Sequence, residues 1–122
     1  MDLTVAATPW IGAMQTSLLN DRDIRPSEYR KWEHARRQFQ RGTDRKTVDA
    51  YKAEIQANGG QLNTPIRLSV DDRTKEVAIG DGHHRAVAVI ELAIPTFSFT
   101  WGWRRSFSVT HERQAFPADL IR

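Results

Sequence analysis

Residues 76–97, EVAIGDGHHRAVAVIELAIPTF, change their hydrophobic period in the middle of a glycine-rich turn. "EVAI" reads as the end of an extended segment, while Ala86, Val87, Ala88, Val89, Ile90 and Leu92 make a helix from about His83 to Leu92 that is apolar on most sides. A helix of that kind is expected to be buried rather than to lie on the surface. Pro95 ends it, because its ring cannot continue the hydrogen-bond ladder. Gly80, Asp81, Gly82, His83, His84 and Arg85 thus stand where a strand becomes a helix.

Upstream, Ile66, Leu68 and Val70 alternate with Arg67 and Ser69, and the polar run DDRTK supplies a turn before EVAI. That is a hairpin signature. Downstream, TFSFTWGW alternates strictly, with Phe97, Phe99, Trp101 and Trp103 on one face of a strand. An aromatic stripe at this spacing is expected in the core; a base-stacking platform is the alternative. The tail after Trp103 leaves room for one more strand and a turn.

Two helices are expected over 27–58. Ser27 after Pro26 is a candidate N-cap for the first, with Tyr29, Trp32, Ala35 or Arg36, and Phe39 at helical spacing as far as Gly42. Thr43 or Asp44 is a candidate cap for the second, whose Val48, Tyr51 and Ile55 share a face before NGG at 58–60 stops it. Before them, LTVAA at 3–7 is a candidate edge strand and NDRDIRP a polar connection. No repeat or low-complexity segment interrupts the pattern. The expectation is one α+β domain over 1–122, a small mixed sheet packed with helices.

The 122 residues contain no cysteine, which excludes a disulfide framework, a thiolate metal site and a thiol nucleophile. Neither a leader pattern nor a membrane-length apolar run is present, so a cytoplasmic protein with no membrane partner is expected. Net charge is +3, but between Asp21 and Lys46 there are nine Lys/Arg against five Asp/Glu. On a helix such a run is first a solvated face with neighbouring opposite charges. The alternative is a track for nucleic-acid phosphates on Arg30, Lys31, Arg36, Arg37 and Arg41.

The chemistry concentrates at the glycine turn. Gly80 and Gly82 let the backbone turn tightly and approach a ligand. The first amides of the following helix have no intrahelical partner, and with the positive end of the helix dipole they suit an anion such as phosphate. Arg85 adds a forked donor, and His83 and His84 can donate to phosphate oxygens or carry a proton, His83 being the candidate general acid or base. Asp81 would repel an anion unless it holds Mg²⁺, takes a proton or caps the helix; it is the candidate metal ligand and second catalytic group. An ordinary GDG turn with exposed histidines is the plain alternative. Zinc is disfavoured, because adjacent histidines on a helix diverge and only His111 or His34 remains as a third ligand.

The block PIRLSV…EVAIGDGHHRAVAVIELAIPTF resembles the core of the ParB/sulfiredoxin superfamily, in which a strand pair leads through a Gly-rich turn into an Ala-rich helix. The resemblance covers roughly 62–99. Gly80, Asp81, Arg85 and Ala86 fall on the ParB pattern G-E-R-R-x-R-A, with Gly82 and His83 in place of its two central arginines. His83 also stands where the sulfiredoxin pattern has its cysteine, which excludes that chemistry on a sulfinic acid. DGHHR is most similar to stand-alone ParB-like proteins of nuclease and free serine kinase type.

The resemblance implies a ParB-like fold and a nucleotide, ATP or CTP with Mg²⁺, bound by the turn. The function implied is an NTP-dependent phosphotransferase, hydrolase or nucleotide switch. A ParB-like nuclease or DNA-binding module is the second reading, and a non-catalytic interaction protein of phage or mobile-element origin the third; a homodimer is left open. Only a short tail follows Trp103, so centromere binding is not expected. HERQ at 111–114 is the sole candidate for a second nucleotide motif.

Overall fold

The computed structural model describes residues 11–105, 108–109 and 115–121. In chain order these form strand β1 (Ile11–Gln15), a 3₁₀ turn (Thr16–Leu18), strand β2 (Ile24–Arg25) and helices α1 (Trp32–Gln38) and α2 (Gly42–Ala57). Strands β3 (Ile66–Asp71) and β4 (Val77–Asp81), helix α3 (His83–Glu91), strands β5 (Thr96–Arg105) and β6 (Ser108–Val109) and a last 3₁₀ turn (Ala118–Leu120) follow. The edge strand expected at 3–7, the polar groups of 111–114 and His111 lie outside the described residues.

The expected hairpin is β3 with β4, antiparallel, with Leu68 opposite Ile79 and Val70 opposite Val77. Asp71 closes its turn by accepting the backbone N–H groups of Arg73 and Thr74 and the guanidinium of Arg104. These bonds hold its carboxyl far below the usual carboxylate range. The sheet runs β1-β5-β3-β4-β2, with β6 continuing from β5. β5 pairs antiparallel with β1 and parallel with β3, and β2 pairs parallel with β4. The sheet is therefore mixed.

The alternating aromatics of β5 divide by depth. Phe97, Phe99 and Trp101 are buried with Ile66, Leu68, Val70 and Ile79, so this stripe is core. Trp103 is only half-buried, with Lys75 Nζ 4.9 Å from its ring centre. Phe116 returns from the tail to pack edge-on against Phe99 and Trp101.

The first helix begins later than the sequence suggests. α1 starts at Trp32 and not near Ser27, because the Asp21 carboxylate accepts the Trp32 N–H at 2.7 Å and caps it from outside. The Trp32 indole N–H donates to Ile24 O at 2.8 Å, tying the helix to β2. α2 starts at Gly42 with neither Thr43 nor Asp44 as a side-chain cap, and Gly60 N–H donates to Ile55 O beyond its end. α3 is buried as expected, with Ala86, Val87, Ala88 and Val89 in the core. Glu91 at its end accepts both Arg45 N–H groups, at 3.1 and 2.8 Å, and Lys52 Nζ at 3.1 Å, locking α3 to α2. Inward residues of sheet and helices join in one cluster, which makes the chain a single α+β domain. Among the described residues no helix is long and apolar enough to cross a membrane.

Candidate functional site

The turn between β4 and α3 owes its shape to two glycines. Arg67 lies opposite Asp81 while Leu68 lies opposite Ile79, so Gly80 is the extra residue of a β-bulge. A Cβ there would meet Ser69 Cβ at 3.2 Å and the Arg67 carbonyl oxygen at 3.3 Å. Gly82 has φ +111 and occupies the N-cap of α3. The bulge turns the chain out of the sheet, and the left-handed residue starts the helix.

Among the described residues the first α3 amide to pair is that of Ala86, which donates to Gly82 O at 2.8 Å. The N–H groups of His83, His84 and Arg85 are the orphan donors that any helix start leaves. A cleft of about 230 Å³ opens over them, lined by Glu28, Tyr51, Asp81, Gly82, His83, His84 and Arg85. The structure thus brings Asp81 to Arg85 together at one cleft, with Gly80 behind it. Glu28 and Tyr51 join them, a carboxylate and a phenol that the sequence does not single out. Tyr51 reads from its spacing as a core position of α2, and Glu28 sits in a segment that reads as helical.

Arg85 is buried, 6% exposed, and its guanidinium is largely committed. Nη1 donates to Thr64 O at 3.2 Å and Pro65 O at 2.7 Å, and Nη2 lies 3.3 Å from Asp81 Oδ2. The group also packs beneath Gly82, where an added Cβ would come within 3.0 Å of Nη2. Arg85 therefore clasps the start of α3 to the 64–65 turn as well as lining the cleft. Nothing in the local sequence announces this, since its acceptors are backbone carbonyls.

His83 is buried, 7% exposed, and its Nε2 accepts the Ser27 backbone N–H at 3.1 Å. That bond assigns the neutral ring's hydrogen to Nδ1. Burial holds this imidazole below its ordinary pKa, reinforced by His84 and opposed by Glu28 and Asp81. The lone pair that a general base would offer at Nε2 is already in use. Tyr29 meets the ring edge-on at 6.2 Å, and burial, with Asp44 and Glu28, raises its phenol pKa.

His84 stacks flat on Phe39, 4.3 Å between ring centres, with Nε2 2.9 Å from Asp44 Oδ1. Bonds from His84 and Gln38 lower the Asp44 pKa. Asp44, expected as a helix cap, is instead the partner that orients His84. Asp81 is the exposed member, its side chain 79% accessible. Among the described residues no three His, Cys, Asp or Glu side chains converge to hold a metal ion.

The basic positions lie elsewhere, on α1 and its flanks. Arg30, Lys31, Arg36, Arg37 and Arg41 are all exposed. Arg37 pairs with Glu33 at 2.8 Å, one turn away, as the solvated-face reading expects. The other four have no ion-pair partner among the described residues.

No family model, curated protein or solved structure matches this chain.

Proposed function

We propose that this chain is a ParB-like domain that binds a nucleotide through its phosphates at the N-terminus of α3. The observation that carries the reading is the cleft over the unpaired amides of His83, His84 and Arg85, entered past the left-handed Gly82. Strand, bulged glycine turn and buried Ala-rich helix follow in the order that the resemblance implies. The anion sits at the amide end of the cleft, away from the carboxylates of Glu28 and Asp81. Within this reading His83 donates through Nδ1, and Asp81 is the group that accepts a proton from an incoming water or hydroxyl in hydrolysis or phosphoryl transfer. Arg85 holds the turn in shape.

Calorimetric titration with ATP, CTP, ADP and GTP, with and without Mg²⁺, tests the proposal. Glu28→Gln and Asp81→Asn each remove a carboxylate from the cleft wall and are expected to tighten Mg²⁺-free nucleotide binding severalfold. Absence of binding by all four nucleotides, or affinities untouched by both substitutions, overturns it.

A second reading is favoured by the four unpaired cations around α1: a face that grips a nucleic-acid backbone. Its affinity for a short DNA duplex would fall steeply with salt, and Arg36→Glu with Arg41→Glu would flatten that slope. A slope unaffected by the reversals removes this reading.

A further inference from the structure

A second concavity lies on the outer side of the sheet, about 370 Å³ in volume and at the small end of the range for ligand pockets. Its floor is defined by strand register. Arg25 is opposite Ala78, Ala78 opposite Ser69, and Ser69 opposite Gly102, a single row across β2, β4, β3 and β5. By alternation these residues face away from Leu68 and Val70. Of this row the cavity is lined by Arg25, Ala78 and Ser69, and beyond Arg25 these carry only a methyl and a hydroxymethyl, which leaves a shallow trough. Pro26, Ser27, Tyr29, Asp71, Glu76 and Arg104 complete its lining.

Two side chains in the trough have unused bonding capacity. Ser69 is 7% exposed and lines the cavity, yet its hydroxyl has no hydrogen-bond partner among the described residues. The hydroxyl is not sealed from solvent, so it is open to a hydrogen bond from a ligand's polar edge. Arg25 is held only loosely, 3.7 Å from Glu76 Oε2 and 3.5 Å from Arg30 O. Arg104, by contrast, is engaged at 2.8 Å with Asp71. One guanidinium at the end of the floor is therefore available for an anion.

We propose that this trough binds a small planar organic anion, a ring bearing one carboxylate or phosphate group. The ring lies on Ala78 and Ser69, the anion pairs with the forked Arg25 guanidinium, and Ser69 Oγ hydrogen-bonds the ligand's polar edge. The site is independent of the nucleotide reading and shares no lining residue with the cleft at α3, although Ser27 both lines the trough and bonds His83.

Benzoate and phenyl phosphate are the probes, with benzyl alcohol as the uncharged control, followed by backbone amide NMR on the full chain. Saturable shifts at Arg25, Ser69 and Ala78 with either anion, absent with the alcohol, are expected; which anion binds tighter separates carboxylate from phosphate sources. Arg25→Gln should weaken binding about tenfold or more. Ala78→Ile, a strand-compatible change that fills the floor, should abolish it while the amide spectrum stays dispersed. Shifts confined to residues 83–85, equal binding of the alcohol, or undiminished binding in both variants overturns the proposal.

Discussion

The backbone N–H of Ser27 donates to Nε2 of His83 across 3.1 Å, and the bond exists only while that imidazole is unprotonated. It joins the segment before α1 to the first residue of α3, so the protonation of one ring bears on the whole cleft. The ring's pKa in the folded state lies below the ordinary 6.5. The unfolded chain therefore takes up a proton first as pH falls. Stability from this residue is complete above about pH 6.5 and is lost progressively below it. His83→Gln keeps an acceptor for the Ser27 N–H and removes the titration, so unfolding midpoints measured from pH 7.5 down to 5 should fall less steeply than in the parent. Parallel profiles would show that His83 does not couple to folding.

Arg85 should matter more for folding than an arginine in an open anion site would. Arg85→Ala leaves the carbonyls of Thr64 and Pro65 without their donor and a hole beneath Gly82. The expected loss is about 2–3 kcal/mol, read as a shift of the urea midpoint with unchanged slope. Arg85→Lys should recover only part of it, because an ammonium lacks the planar fork. A change of a few tenths of a kcal/mol in the alanine variant would mean the clasp is idle.

Glu91 fixes α3 on α2 through Arg45 and Lys52, and its side chain is 13% exposed. Replacing it with Gln keeps the shape but leaves two cations facing a neutral amide. A destabilisation of about 1–2 kcal/mol is expected, larger than for Glu33→Gln at the exposed Arg37 pair, which should cost under about 0.5 kcal/mol. Thermal unfolding of the two variants side by side checks the order.

Ala93 has φ +55 at the position after the α3 cap, where Ile94 N–H donates to Val89 O and Ala93 N–H to Ile90 O. This is the hydrogen-bond pattern that glycine usually serves at a helix end. Ala93→Gly relieves the Cβ strain and should raise stability by about 0.5–1 kcal/mol, a gain of a few degrees in Tm. A lower Tm would show that unfolded-chain entropy outweighs the strain.

Local patterns made part of this fold legible. The β3–β4 hairpin, the glycine turn, α3 and the aromatic strand each carry a period or a stop signal within a dozen residues. β1 and β2 do not. "IGAMQ" and "IR" have little strand character of their own and are extended because Phe97 pairs with Met14 and Val77 with Ile24. The start of α1 was hidden for a related reason, since its cap, Asp21, lies outside the helix by eleven positions. In the cleft, Gly82, His83 and His84 were readable as a group. The burial of Arg85 and the arrival of Glu28 and Tyr51 were not, because backbone carbonyls and neighbouring helices leave no mark in the motif itself.

The position of β5 also bears on how the chain is made. Both neighbours of its first half, β1 and β3, precede it, and Met14 finds Phe97 only after all the residues between them have been synthesised. At about 5–20 residues per second, a ribosome leaves the first strand without its partner for several seconds. During that interval β1 and one side of β3 are open edges able to pair with a neighbouring nascent chain. Recovery of this protein should therefore depend on how quickly residues 96–105 emerge, more than on the stability of the finished sheet.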